Sequence, residues 1–185
     1  MNTGLIASRY AKALFDFATD RHAEVQVYDE ITILVRSFSL NSQLKVALNN
    51  PMLDKNSKKQ LLIAATGGHI EPVFERFIDL ILRNQRESYL QNIGLKYIDL
   101  YFESRNLANV RLTTAFPLDR EVEEKLVSSI KTLIHKDVIF ERNIDSKIIG
   151  GLILQIGDLR WDGSIASQLK KIRKEIIQGQ TFRLN

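Results

Sequence analysis

The period of the apolar pattern changes once along this 185-residue chain, near Ala108, and the change separates a helical part from a mixed one. Before it, apolar residues recur at steps of three and four. Ile6, Tyr10, Ala13, Leu14 and Phe17 mark a first amphipathic helix, and Tyr28, Ile31, Val35 and Phe38 a second. Asn41 is placed to cap a short third helix carrying Leu44, Ala47 and Leu48, which must stop before Pro51. Asn56 or Ser57 opens a fourth with Leu61, Leu62 and Ala65, ended by Gly67-Gly68. Pro72 suits the first turn of a fifth, with Val73, Phe77, Ile78, Ile81 and Leu82 on its buried stripe. A sixth carries Leu90, Ile93, Tyr97 and Tyr101. Six helices joined by short polar loops predict an all-α six-helix bundle over residues 1–105.

Past the change, Val110, Leu112, Thr114 and Phe116 alternate with Arg111, Thr113 and Ala115, the pattern of a half-buried strand. Pro117 ends it, and Asp119 can cap a helix carrying Val122, Leu126, Ile130 and Leu133. Strands then follow over Val138–Arg142, Ile148–Ile156 and Leu159–Trp161, the last two separated by the hairpin signal Gly157-Asp158. Asp162 or Ser164 caps a final helix with Ile165, Leu169, Ile172 and Ile176 on one face. The expectation for residues 106–185 is a small α+β domain of order β-α-β-β-β-α, with Trp161 anchoring its core.

Composition excludes several kinds of chemistry. There is no cysteine, hence no disulfide, thiolate nucleophile or cysteine-ligated zinc. His22, His69 and His135 are far apart and lack metal-ligand spacing. No apolar run approaches the roughly 20 residues that span a bilayer, so direct membrane insertion is not expected. The opening residues lack the charged region, apolar stretch and cleavage site of a secretory signal, which points to a protein retained in the cytoplasm. A net charge of +4 permits acidic partners, but the basic residues are spread along the chain. A small basic nucleic-acid-binding protein is the rival reading, and strongly salt-dependent binding would reveal it.

The remaining candidates for chemistry have structural accounts. Gly150-Gly151 lacks phosphate-loop spacing and is expected inside an apolar strand, as a bulge or a close backbone approach. Asp158 and Asp162 flank a short strand and invite a carboxylate-pair or metal reading. A turn position for Asp158 and a helix cap for Asp162, with Ser164, explain them better. Lys170, Lys171, Arg173 and Lys174 are either a solvated helix face or a docking surface for an acidic partner. With no reactive constellation and no cofactor motif, the pattern favours an interaction protein over an enzyme.

The segment Ile144–Ser164 resembles the signature of the F-type ATP synthase delta subunit family, whose mitochondrial members are called oligomycin sensitivity-conferring protein. The resemblance rests on Ile144-Asp145, Gly150-Gly151, Gly157-Asp158 and Asp162-Gly163-Ser164 in that order, followed by Leu169 and Ile172. Arg9–Phe15, Leu48–Pro51 with Lys58-Lys59, and Phe77–Arg86 also resemble the family's opening helix, mid-domain loop and fifth helix. The resemblance implies a non-catalytic stator subunit at the cytoplasmic side of a bacterial membrane, without a cofactor or metal of its own. Its helical domain would bind the N-terminal segment of an alpha subunit, in a groove that the resemblance puts at Tyr10, Ala13, Leu14, Leu80 and Ile81. Its second domain would hold the C-terminal end of the b subunits of the peripheral stalk, with the basic run on the last helix as the nominated contact.

Overall fold

Helix α1 (Thr3–Asp20) buries alanines rather than large side chains: Ala7, Ala11 and Ala18 are almost wholly covered, with Leu14 as the one large residue among them. The computed structural model describes residues 3–157 and 159–181. The chain divides into two compact units between Ser104 and Arg105.

In the first unit α1 is followed by α2 (Glu24–Leu40), α3 (Ser42–Leu48), α4 (Lys55–Ala65), α5 (Pro72–Arg83), a 3-10 turn (Glu87–Tyr89) and α6 (Leu90–Ser104). The expected first stripe is therefore shifted. Ile6, Tyr10 and Phe17 are only half-buried and Ala13 is exposed, because the small-residue face one position along lets α6 approach closely. Helix α2 also comes close to α6: a Cβ on Gly94 would lie 2.7 Å from Val35 Cγ2. Around that contact Val27, Ile31, Leu34, Ile93 and Tyr97 form the centre of the core. The Tyr97 hydroxyl donates to the Glu24 carbonyl at 3.2 Å, and burial pushes its pKa well up.

Local signals account for most boundaries. The Asn41 side chain accepts from Gln43 N at 3.0 Å and starts α3. Neither Asn56 nor Ser57 opens α4. Asp54 does, from extended backbone, accepting from Ser57 N at 3.0 Å, and hydrogen bonds from the Ser57 hydroxyl and then its N–H hold the carboxyl below the ordinary range. Pro72 opens α5, whose expected stripe of Val73, Phe77, Ile78, Ile81 and Leu82 is buried together with Phe74.

The second unit contains β1 (Leu107–Thr114), α7 (Arg120–Ile134), β2 (Asp137–Ile144), a 3-10 turn (Ser146–Ile148), β3 (Leu152–Ile156), β4 (Leu159–Asp162) and α8 (Ile165–Thr181). Its four strands form one mixed sheet in the order β2-β1-β3-β4. Strand β1 pairs parallel with β2 across the α7 crossover and antiparallel with β3, and β3–β4 is an antiparallel hairpin.

Several expectations for this unit need correction. The β1 alternation holds through Val110, Leu112 and Thr114 but stops there: Thr114 Oγ1 donates to the Phe116 carbonyl at 2.7 Å, Ala115 is buried and Phe116 is exposed. Asp119 occupies the α7 N-cap without a side-chain cap bond. Helix α7 covers the sheet through Ile130 and the half-buried Leu126, while Val122 and Leu133 face solvent. Trp161 is not a core anchor. It is 61% exposed, its ring resting against Gly163 at the edge strand β4.

Candidate docking surfaces

On α1, Tyr10 sits half-buried with its ring edge-on to Phe77 of α5, the centroids 6.3 Å apart. Asn84, just past the end of α5, donates its amide to the Tyr10 hydroxyl at 3.3 Å. One turn along α1, Ala13 is exposed, and Leu80 of α5 is 39% exposed. These side chains belong to two helices that pack together, and they leave apolar surface open beside a closed core. Leu14 and Ile81 are different. They are 1% and 0% exposed, so both are core residues and cannot present a face to a partner. The reason is rotational: each lies one position along its helix from an exposed neighbour, Ala13 and Leu80 respectively.

A polar feature of this unit was not visible in the sequence. Lys58 Nζ of α4 lies 2.8 Å from Glu87 Oε1 in the turn before α6, both side chains being about 90% covered. The partners are 29 positions apart, and no local pattern marks the pair. Glu30 of α2 is also buried. Its Oε1 accepts from the Glu71 N–H at the start of α5 at 2.6 Å, while among the described residues Oε2 has no hydrogen-bond partner. Burial raises this carboxyl above its ordinary pKa, chiefly by desolvation, against the lowering effect of the Glu71 bond.

In the second unit the signature residues specify a turn. The Gly150-Gly151 pair precedes β3 rather than lying within it, because the chain turns at Ile149 and Gly151, both with positive φ (68° and 72°). A Cβ on Gly151 would collide with the Gly163 carbonyl oxygen, so only glycine allows this crossing. Two backbone bonds fix it: Ile165 N donates to the Gly150 carbonyl and Gly163 N to the Leu152 carbonyl, each at 3.0 Å.

Beside this crossing Asp162 gathers donors. Its Oδ1 accepts from Ser164 N at 3.0 Å and Ser164 Oγ at 2.6 Å, and its Oδ2 from Ser167 Oγ at 2.9 Å. Ser164 Oγ in turn accepts from Ser167 N at 3.2 Å, which makes it the helix cap. The hydrogen bonds from Ser164 lower the Asp162 pKa, and the carboxylate serves as a structural acceptor at the start of α8. Gly157 holds a positive φ of 55° in the β3–β4 turn, and Asp158 lies outside the described residues. Among the described residues no cluster of histidine, aspartate or glutamate could hold a metal ion.

Lys170, Lys171, Arg173 and Lys174 are all exposed on α8. Less expected is the opposite face. Leu169, Ile172 and Ile176 are each about half exposed, where a buried stripe would be needed for packing onto the sheet.

The profile of the family described as ATP synthase delta (OSCP) subunit matches residues 6–176 of this chain. The chain belongs to that family. Among its relatives, the ATP synthase subunit delta of Bacteroides thetaiotaomicron is 38% identical over 96% of both chains. That of Parabacteroides distasonis is 37% identical over 97% of this chain and all of its own. The fold also matches a chain in the cryo-EM structure of the Toxoplasma gondii mitochondrial ATP synthase hexamer. The TM-score is 0.65 at 17% identity, covering 92% of this chain and 97% of that one. As a delta-family member, the chain is a non-catalytic stator subunit of ATP synthase, associated peripherally with the membrane through the complex. Among the described residues no helix is long and apolar enough to cross a membrane.

Proposed function

We propose that the helical unit acts as a six-helix bundle that grips the N-terminal segment of an alpha subunit, while the α+β unit holds the C-terminal end of the peripheral-stalk b subunits. Proton flow turns the rotor, and this joint keeps the catalytic head from turning with it, on the cytoplasmic side of a bacterial membrane. The division of labour falls at about residue 105.

The observation that carries the alpha-subunit reading is the open apolar seam of Tyr10, Ala13 and Leu80 beside the closed core of Leu14 and Ile81. An amphipathic helix docks by placing anchors at i, i+3, i+4 and i+7 in such a seam. Tyr10 adds a hydroxyl to its apolar ring, and Ala13 lets a partner backbone come close.

Titration of the full chain with a peptide carrying the alpha-subunit N-terminus tests this. Tyr10→Asp and Leu80→Asp are expected to abolish binding while leaving the helical circular-dichroism spectrum intact. Unchanged binding would remove the seam assignment. Ile81→Asp is expected to unfold the unit instead, which separates seam from core.

A further inference from the structure

Asp162-Gly163, between β4 and α8, is the one point in the sequence where aspartate or asparagine precedes glycine. In a mobile chain such a pair is chemically labile, because glycine lets the backbone swing until its own nitrogen meets the aspartate side-chain carbon. The Gly163 N–Asp162 Cγ bond forms, the Cγ–OH bond breaks, and water leaves with the amide proton, giving a cyclic imide. Water then adds back. Attack at Cγ restores aspartate, whereas attack at the Asp162 main-chain carbonyl leaves Gly163 joined to Cγ, as isoaspartate. Burial does not protect the pair, since the Asp162 side chain is 29% exposed. Glycine nevertheless suits the fold here: a Cβ at Gly163 would lie 2.7 Å from Trp161 Cη2, in the space that ring occupies.

We infer that Asp162-Gly163 is this chain's site of aspartate isomerisation, and that the junction of β4 with α8 is a lock holding it unreactive until the junction opens. Both reacting groups are held. The nucleophile is engaged, because Gly163 N donates to the Leu152 carbonyl at 3.0 Å. The bond from Ile165 N to Gly150 and the close approach of Gly151 to the Gly163 carbonyl fix the same stretch of backbone. On the electrophile, Asp162 Oδ1 accepts from Ser164 N and Oγ, and Oδ2 from Ser167 Oγ. These bonds, the Ser164 hydroxyl foremost, keep the carboxyl ionised to lower pH than usual, and the anion is the unreactive form because its oxygen departs only as water. The reaction therefore runs through the open population alone. Its product cannot close again: the main chain gains a methylene between β4 and α8, which shifts Gly163 N away from Leu152 and Ser164 away from its acceptor. Isomerisation thus marks chains whose α+β unit has opened.

The test incubates the full chain at neutral pH, in buffer and in unfolding urea. Isoaspartate is read by enzymatic methylation of the new carboxyl and placed by peptide mapping. The folded parent is expected to stay unmodified, while the urea-unfolded parent accumulates isoaspartate at position 162 ahead of every other aspartate. Gly151→Ala leaves Asp162 and Gly163 as they are, yet it should raise the rate in buffer about a hundred-fold, since the open population grows tenfold for each 1.4 kcal/mol of lost stability. Making both chains in an Asp162→Asn background speeds the reaction, with ammonia leaving in place of water, and brings both rates into range. Ser164→Ala, which removes one donor to Asp162 and leaves the crossing intact, gives a milder second variant with a smaller rise. Equal rates in buffer and in urea would overturn the inference. So would faster isomerisation at another aspartate of the unfolded chain, or variants that unfold at lower urea yet react no faster than the parent.

Discussion

Replacing Gly151 by alanine should destabilise the α+β unit without touching the helical one. Two costs add. A residue with a Cβ held at φ 72° loses about 1–2 kcal/mol relative to glycine. The new Cβ also meets the Gly163 carbonyl oxygen, which is backbone and cannot rotate away. Relieving that collision parts the two strands of chain and weakens the bonds from Ile165 N to Gly150 and from Gly163 N to Leu152, at about 1 kcal/mol each. The sum is about 3 kcal/mol, allowing for incomplete loss of both bonds. Urea unfolding followed by tryptophan fluorescence reads this unit selectively, since Trp161 is the sole tryptophan and lies in it. Ile149→Gly is the matched control. Ile149 holds φ 68° with a β-branched side chain that is 55% exposed, so glycine there relieves strain at little loss of packing and should leave the midpoint unchanged or raise it. An unchanged midpoint for Gly151→Ala, or a lowered one for Ile149→Gly, would refute the turn geometry as the reason for the glycine pair.

Further outcomes follow from the buried charges of the helical unit. Lys58→Met leaves the Glu87 carboxylate covered and unpaired, and should cost about 3 kcal/mol in thermal unfolding. Adding Glu87→Leu should recover most of that loss, and a double variant no better than the single one would deny the pair its role. Glu30 has a raised pKa in the folded state, so the fold binds its proton more tightly than the unfolded chain does. The associated stability is fully present below the unfolded carboxylate pKa and is lost as pH rises through the raised folded value. Glu30→Gln keeps an acceptor for the Glu71 N–H and should flatten that part of the stability–pH curve; an unaltered slope would place its origin elsewhere.

The parts of the fold that were legible in sequence are those where one strong pattern acts alone. Helices α5 and α6 carry large apolar residues at uninterrupted helical spacing, and those residues are buried. Helix α1 was read one position out of phase because its buried face is built from Ala7, Ala11 and Ala18, whose small side chains look neutral in a hydrophobic pattern yet permit the closest packing. Leu14 stands among the candidate contacts through the family resemblance, although the helix pattern already counts it on the buried stripe and it belongs to the core. The α8 stripe was visible, but periodicity states only that apolar residues share a face, not what covers them. The Lys58–Glu87 pair and the turn at Ile149 depend on tertiary placement and on a backbone angle that isoleucine rarely adopts, so neither leaves a local signal.

The central claim is that this chain links the catalytic head to the stalk through two separate surfaces. It is tested most directly by recovering the tagged full-length chain, parent and variant, from detergent-solubilised membranes and identifying the subunits that come with it. The account expects the parent chain to retain both alpha and b subunits. With Tyr10→Asp and Leu80→Asp it should lose direct hold of alpha while keeping b. A parent chain that retains neither, or a seam variant that retains alpha as firmly as the parent, would contradict it.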